Sequence, residues 1–119
     1  MFVNFTNHPS NNWSNSQLVK AKEYGEIVDL PFPNIPSNLS EEELIRMADN
    51  YVEKIYALKP KAVLCQGEMV FTHLMVNKLK EKGILVLAAI SDRVTEEIKM
   101  DDRTLKTSEF TFLGFRKYI

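Results

Sequence analysis

Residues 84–90 read ILVLAAI, seven consecutive apolar residues with no alternation between faces. A run of this length is strand-sized and far short of a membrane span. Apolar residues at successive positions require burial on both sides, which is the situation of an inner strand in a parallel sheet covered by helices. That one segment therefore constrains the fold. It demands helices on two faces and at least one strand on each flank.

The rest of the chain supplies them. Residues 1–5 (MFVNF) read as a first strand that Asn4 weakens, and residues 26–30 (EIVDL) read as a second. Residues 62–65 (AVLC) read as a short buried third strand. Ser14, with Gln17 three residues on, has the spacing of a helix-capping pair; that helix is expected to run to about Tyr24 and stop at Gly25. Ser40 followed by Glu41, Glu42 and Glu43 is a stronger helix start, with acids in the turn where the helix dipole favours them. Leu44, Met47, Ala48, Tyr51, Val52, Ile55 and Leu58 keep helical spacing until Pro60. A third helix is predicted over residues 68–82, stopped by Gly83. Between the second strand and the second helix, three prolines from Pro31 to Pro36 exclude both helix and inner strand. Residues 93–99 and 105–115 alternate apolar and polar around a turn-like MDDRT, which predicts a β-hairpin.

The order β-α-β-α-β-α-β plus hairpin predicts an α/β fold. It would be a three-layer, Rossmann-like or flavodoxin-like arrangement of one mainly parallel sheet, with right-handed crossovers and a C-terminal hairpin. At 119 residues the expectation is a single domain spanning residues 1–119. Fifteen basic against 16 acidic residues argue against a broad surface for long nucleic acid. The lone cysteine, Cys65, rules out an internal disulfide or a cysteine-based metal site, and fits a reducing cytoplasm. No signal peptide is visible at the start, and nothing suggests a membrane partner.

Ligands of open α/β sheets bind beyond the carboxyl ends of the strands. Four segments are expected there: Thr6-Asn7-His8-Pro9-Ser10, Pro31-Phe32-Pro33-Asn34, Gln66-Gly67-Glu68 and Ser91-Asp92-Arg93. Their chemistry suits an anion or nucleotide. Thr6, Ser10 and Ser91 carry hydroxyls, Asn7 and Gln66 carry amides, Gly67 permits close backbone approach, and Arg93 offers a fork for phosphate. Trp13 and Phe32 are candidates to stack on a base. Each group also has a structural reading. His8 can bond within its own loop, Glu68 can cap the third helix, Trp13 can pack beneath the first helix, and Arg93 can pair with a neighbouring acid. His73 reads as a surface or structural histidine. The glycine signatures of phosphate loops and dinucleotide folds are absent, as are the G-x-S-x-G elbow and any metal-ligand spacing at this rim. No cofactor is expected.

The opening strand running into NFTNHPS resembles the start of small CRISPR-associated ring-nuclease-type proteins, whose first strand enters a Ser/Thr-His-Pro loop. The specific match covers about ten residues, with a looser one over residues 63–93. The resemblance implies a fold related to the CARF domain, a homodimer, and a cyclic oligoadenylate bound across its two-fold axis. It also implies metal-independent cleavage, in which a ribose 2′-hydroxyl attacks the adjacent phosphate and leaves a 2′,3′-cyclic phosphate. On that reading His8 and Arg93 are catalytic, and Thr6, Asn7, Ser10, Trp13, Gln66, Gly67, Glu68 and Ser91 bind the ligand. Two features depart from the pattern: neither principal loop contains a lysine, and Glu68 adds a negative charge. Three alternatives follow. One is a sensor that binds without cutting, another a deoxyribosyltransferase-like enzyme using Glu68, and the third an adaptor dimerising through the hairpin face that carries Phe110, Phe112 and Phe115.

Overall fold

The computed structural model describes the backbone of all 119 residues, and every side chain except those of residues 94–96, 107 and 108. Five strands form one sheet: β1 (Phe2–Phe5), β2 (Ile27–Asp29), β3 (Ala62–Cys65), β4 (Val86–Met100) and β5 (Arg103–Lys117). Their order is β2-β1-β3-β4-β5. β1 runs parallel to β2 and β3, β3 runs parallel to β4, and only β5 is antiparallel. Three helices complete the fold: α1 (Asn15–Lys22), α2 (Glu41–Ala57) and α3 (Met69–Glu81).

Period-two alternation divides the inner strands between two cores. Val3, Phe5, Val63, Cys65 and Val86 point to the face covered by α2 and α3, where they meet Ala48, Val52, Ile55, Phe71 and Met75. Phe2, Ala62, Leu64 and Leu87 point to the other face, with Ala21 of α1, Trp13 and Phe115. Phe2 anchors that side, with ring contacts to Trp13, Tyr24 and Phe115 at 6.2, 5.8 and 5.3 Å.

The helix boundaries follow the capping residues. Ser14 Oγ accepts from the Gln17 amide and Ser40 Oγ from the Glu43 amide. Gly25 holds φ at +116°, and a β-carbon there would lie 2.7 Å from the Met1 nitrogen, so the turn into β2 requires glycine. Three expectations are corrected. α1 ends at Lys22, before Tyr24. Phe32 is not a surface platform: the chain after β2 stays bonded to β1 through Leu30 N–H to Asn4 O and Phe32 N–H to Thr6 O, and this drives the Phe32 ring into the core against Phe5 and Phe71.

The third correction is the largest. Ser91-Asp92-Arg93 is not a loop after a strand ending at Ile90. β4 continues through it for 15 residues, paired throughout with β5, and only a bulge between Ile90 and Ser91 marks the expected boundary. Pairing with β3 is confined to Val63–Val86 and Leu64–Leu87. Beyond this the two long strands leave the sheet as a two-stranded arm, which stretches the molecule to 56 × 38 × 25 Å.

Candidate functional site

Along the sheet the strand order reverses at β1, because β2 lies to one side of it and β3 to the other. A crevice is expected where the loops after β1 and β3 diverge, and a cavity of about 710 Å³ opens there. Thr6, Asn7 and His8 form the wall after β1, and Gln66 and Gly67 the wall after β3. Trp13, Ser14 and Gln17 close the α1 side. Ser91, Phe110 and Phe112 close the side of the arm, with Leu64 and Ala89 also in the lining.

The wall after β1 is held by a buried hub that sequence reading passed over. Asn4 is 1% exposed. Its Nδ2 donates to the His8 carbonyl and to Asp29 Oδ1, each at 2.9 Å, and its Oδ1 accepts from Thr6 Oγ1 at 2.8 Å. The His8 amide donates back to Thr6 Oγ1, and Trp13 Nε1 donates to the His8 carbonyl at 3.0 Å. A buried amide with both ends engaged fixes the loop in one conformation. His8 belongs to the cavity lining, and its carbonyl serves as a structural acceptor. Asn4 stands in register with Asp29 on β2. The available signal was the polar alternation Asn4, Thr6 in an otherwise apolar strand, with Asp29 ending its neighbour.

The wall after β3 has a different logic. Where β3 and β4 stop pairing, Gln66 extends the ladder with its side chain, its Oε1 accepting from the Ala89 amide at 3.0 Å. Gly67 lines the cavity, but its lack of a side chain is also a packing requirement, because a β-carbon there would lie 2.4 Å from the Phe32 ring. The backbone N–H groups of Asn7 and Gly67 have no hydrogen-bond partner among the described residues.

Three expected site residues stand outside the lining. Ser10 is claimed by Asp29, to which both its amide and its hydroxyl donate. Glu68 caps α3, accepting from the amides of Val70 and Phe71. This is the structural alternative, and it engages Oε1, one of the two carboxylate oxygens. Arg93 sits on the arm, its guanidinium over the Phe110 ring at 5.9 Å from the centroid, and it is not among the lining residues. The residues that do converge are Thr6, Asn7, His8, Trp13, Gln66, Gly67 and Ser91. No lysine or arginine is among the lining residues described.

Behind the site, burial pushes the Cys65 thiol up to about 12, and the Tyr118 hydroxyl donates to the Cys65 carbonyl at 2.8 Å. Burial, and then the nearby thiol, also raises the Tyr118 phenol above its ordinary value. Among the described residues no three His, Cys, Asp or Glu side chains gather as a metal site, and no helix is long and apolar enough to cross a membrane.

A family model described as the Uncharacterized protein MJ1673 family matches residues 1–116. The chain belongs to that family. The match takes in β1 to β4, the three helices, β5 up to Arg116, and the residues that line the cavity. No curated protein and no solved structure matches the chain.

Proposed function

We propose that this protein binds a cyclic oligoadenylate in the crevice between the β1 and β3 exits and cleaves it without a metal, as a ring nuclease of CRISPR-associated antiviral signalling. On this reading the fold is Rossmann-like and related to the CARF domain. A homodimer presents two copies of the cavity to a ligand that is itself symmetric. The observation that carries the proposal is the cavity itself. It lies where the strand order reverses, and it joins an imidazole, hydroxyls, a side-chain amide and two unbonded backbone N–H groups to the rings of Trp13, Phe110 and Phe112. Aromatic faces beside uncharged donors suit bases and ribose phosphates.

In the proposed reaction a ribose 2′-oxygen is held in line with the departing 5′-oxygen, which supplies much of the rate through positioning. His8 moves a proton at one of these oxygens. The amides of Asn7 and Gly67 donate to the phosphate as its charge grows. The 2′-oxygen forms the new bond to phosphorus, the bond to the 5′-oxygen breaks, and a proton lost from the former is balanced by one gained at the latter. Arg93 approaches from the arm, over the Phe110 ring.

One observation favours a second reading, in which the protein senses the messenger without cutting it: the described lining carries no cation to offset the phosphate charge. Incubation with cyclic tri-, tetra- and hexa-adenylate in EDTA, followed by chromatography, separates the two. A linear product ending in a 2′,3′-cyclic phosphate, lost about 10²-fold or more in His8→Ala, supports cleavage. Tight binding with no product leaves the sensor, and no binding of any ring size removes both.

A further inference from the structure

No lysine, arginine, aspartate or glutamate is among the described residues that line the cavity, so recognition there falls to uncharged groups. Four of these are the carboxamides of Asn7, Asn12, Gln17 and Gln66. Gln66 has its oxygen engaged by the Ala89 amide, and Asn7 and Asn12 are exposed, on a loop and on the single turn Ser10–Asn12. Gln17 stands apart from them. It is half-buried, one turn before Ala21, the buried residue of α1, and α1 packs against β5. Side chains on a helix lean back toward its N-terminus, and at that end of α1 lie Trp13 and Ser14, the neighbouring lining residues. The backbone amide of Gln17 donates to Ser14 Oγ, which fixes the helix start, while its side-chain carboxamide has no hydrogen-bond partner among the described residues.

We propose that Gln17 reads the base of the ligand, its carboxamide oxygen accepting from the exocyclic amine of adenine and its nitrogen donating to the adjacent ring nitrogen. This role rests on the cyclic oligoadenylate reading above and adds to it the residue by which the site chooses adenine. A carboxamide offers an acceptor and a donor side by side, which is the complement of the adenine edge. Guanine shows two adjacent acceptors instead, a pattern matched by a cationic fork, and the described lining holds none. The Trp13 ring beside Gln17 gives the base an apolar surface, and its Nε1 bond to the His8 carbonyl holds that ring in place. A base that displaces water from this carboxamide without returning both bonds leaves a polar group unpaired, which is how such a site rejects a near-isostere. Placement on a helix rather than a loop keeps the carboxamide within a narrow range of positions.

Titration calorimetry of the full chain tests it, with cyclic tri-, tetra- and hexa-adenylate each set against its inosinate counterpart. Inosinate keeps the purine and the phosphates but carries a carbonyl where adenine has its amine. All measurements use the His8→Ala background, so that no ring is consumed; that change keeps the carbonyl held by Asn4 and Trp13. The expected result is that the best adenylate ring binds about tenfold or more tighter than its inosinate counterpart. Adding Gln17→Met, uncharged and of similar length, should bring the two within about threefold of each other by weakening adenylate. Val19→Ser, exposed on the same helix and outside the lining, should leave both constants within about twofold. Circular dichroism checks that each variant folds. A preference for adenylate that survives Gln17→Met, or no preference before it, overturns the role of Gln17 while the ring reading stands. Binding of no ring by the parent protein removes that reading, and the role of Gln17 with it.

Discussion

The two halves of β4 obey different physics. At Val86 and Leu87 the strand still pairs with β3, and these two side chains are buried on opposite faces. From Ser91 to Met100 it has one neighbour, β5, and every described side chain is exposed. The cavity sits where the first regime gives way to the second. Its β1 and β3 walls are fixed by the core and by the Asn4 hub, while its Phe110–Phe112 wall is borrowed from the arm. The comparison teaches that shape at this site comes from the buried side, and that the arm can change without unfolding it.

The sharpest way to break that contrast is to damage the core. Phe5 is fully buried, with ring contacts to Phe32 at 4.9 Å and Tyr51 at 5.3 Å, so Phe5→Ala should cost about 3–5 kcal/mol in denaturant unfolding. A loss below about 1 kcal/mol would mean that the inner sheet is not the stabilising half. Asn4→Ala should cost about 1–3 kcal/mol, because it strips Thr6 and the His8 carbonyl of a buried partner. It should also loosen the loop, seen as faster amide exchange at residues 6–8. Unchanged exchange there would show that the hub does not set the wall.

A pH titration sharpens the comparison next. Cys65 keeps its proton to about 12 when folded, against an ordinary value of 9.0. The native state therefore binds the proton more tightly than the unfolded chain. The associated stability is present below pH 9 and drains away as pH rises toward 12. Thermal midpoints should fall over that window and fall less in Cys65→Ala; equal slopes would remove the thiol as the cause. The smallest effect belongs to the arm. Leu105→Ala should shift monomer stability by no more than about 0.5 kcal/mol in dilute solution, checked by the same unfolding curves.

The same division explains what could be read in advance. β1, β3, α2 and α3 were legible because burial and caps leave marks: apolar runs, Ser40 before its three glutamates, Gly83 after α3. The length of β4 was not. Ser91-Asp92-Arg93 looks like a loop because a strand solvated on both faces needs no apolar pattern and tolerates poor β-formers. At the site, Thr6, Asn7, His8 and Gln66 were recognisable as polar residues just past strand ends, Gly67 as the glycine beside them and Trp13 as the aromatic on the first loop, whereas Ser91 was reached on the expectation of a strand end that β4 does not have. Ser10 and Glu68 looked equally good, and their engagement by Asp29 and by the first turn of α3 depends on contacts that residue type alone does not reveal. Asn4 was read as a blemish in a strand, since its partner Asp29 lies 25 positions away.

The central claim is that the β1/β3 crevice is where a cyclic oligoadenylate binds. Hydrogen–deuterium exchange of the whole protein, with and without each ring size in EDTA, tests it most directly. The account predicts protection at residues 6–8, 13–17, 64–67 and 110–112, and little change over α2. Protection confined to other segments, or none with any ring at saturating concentration, would contradict it.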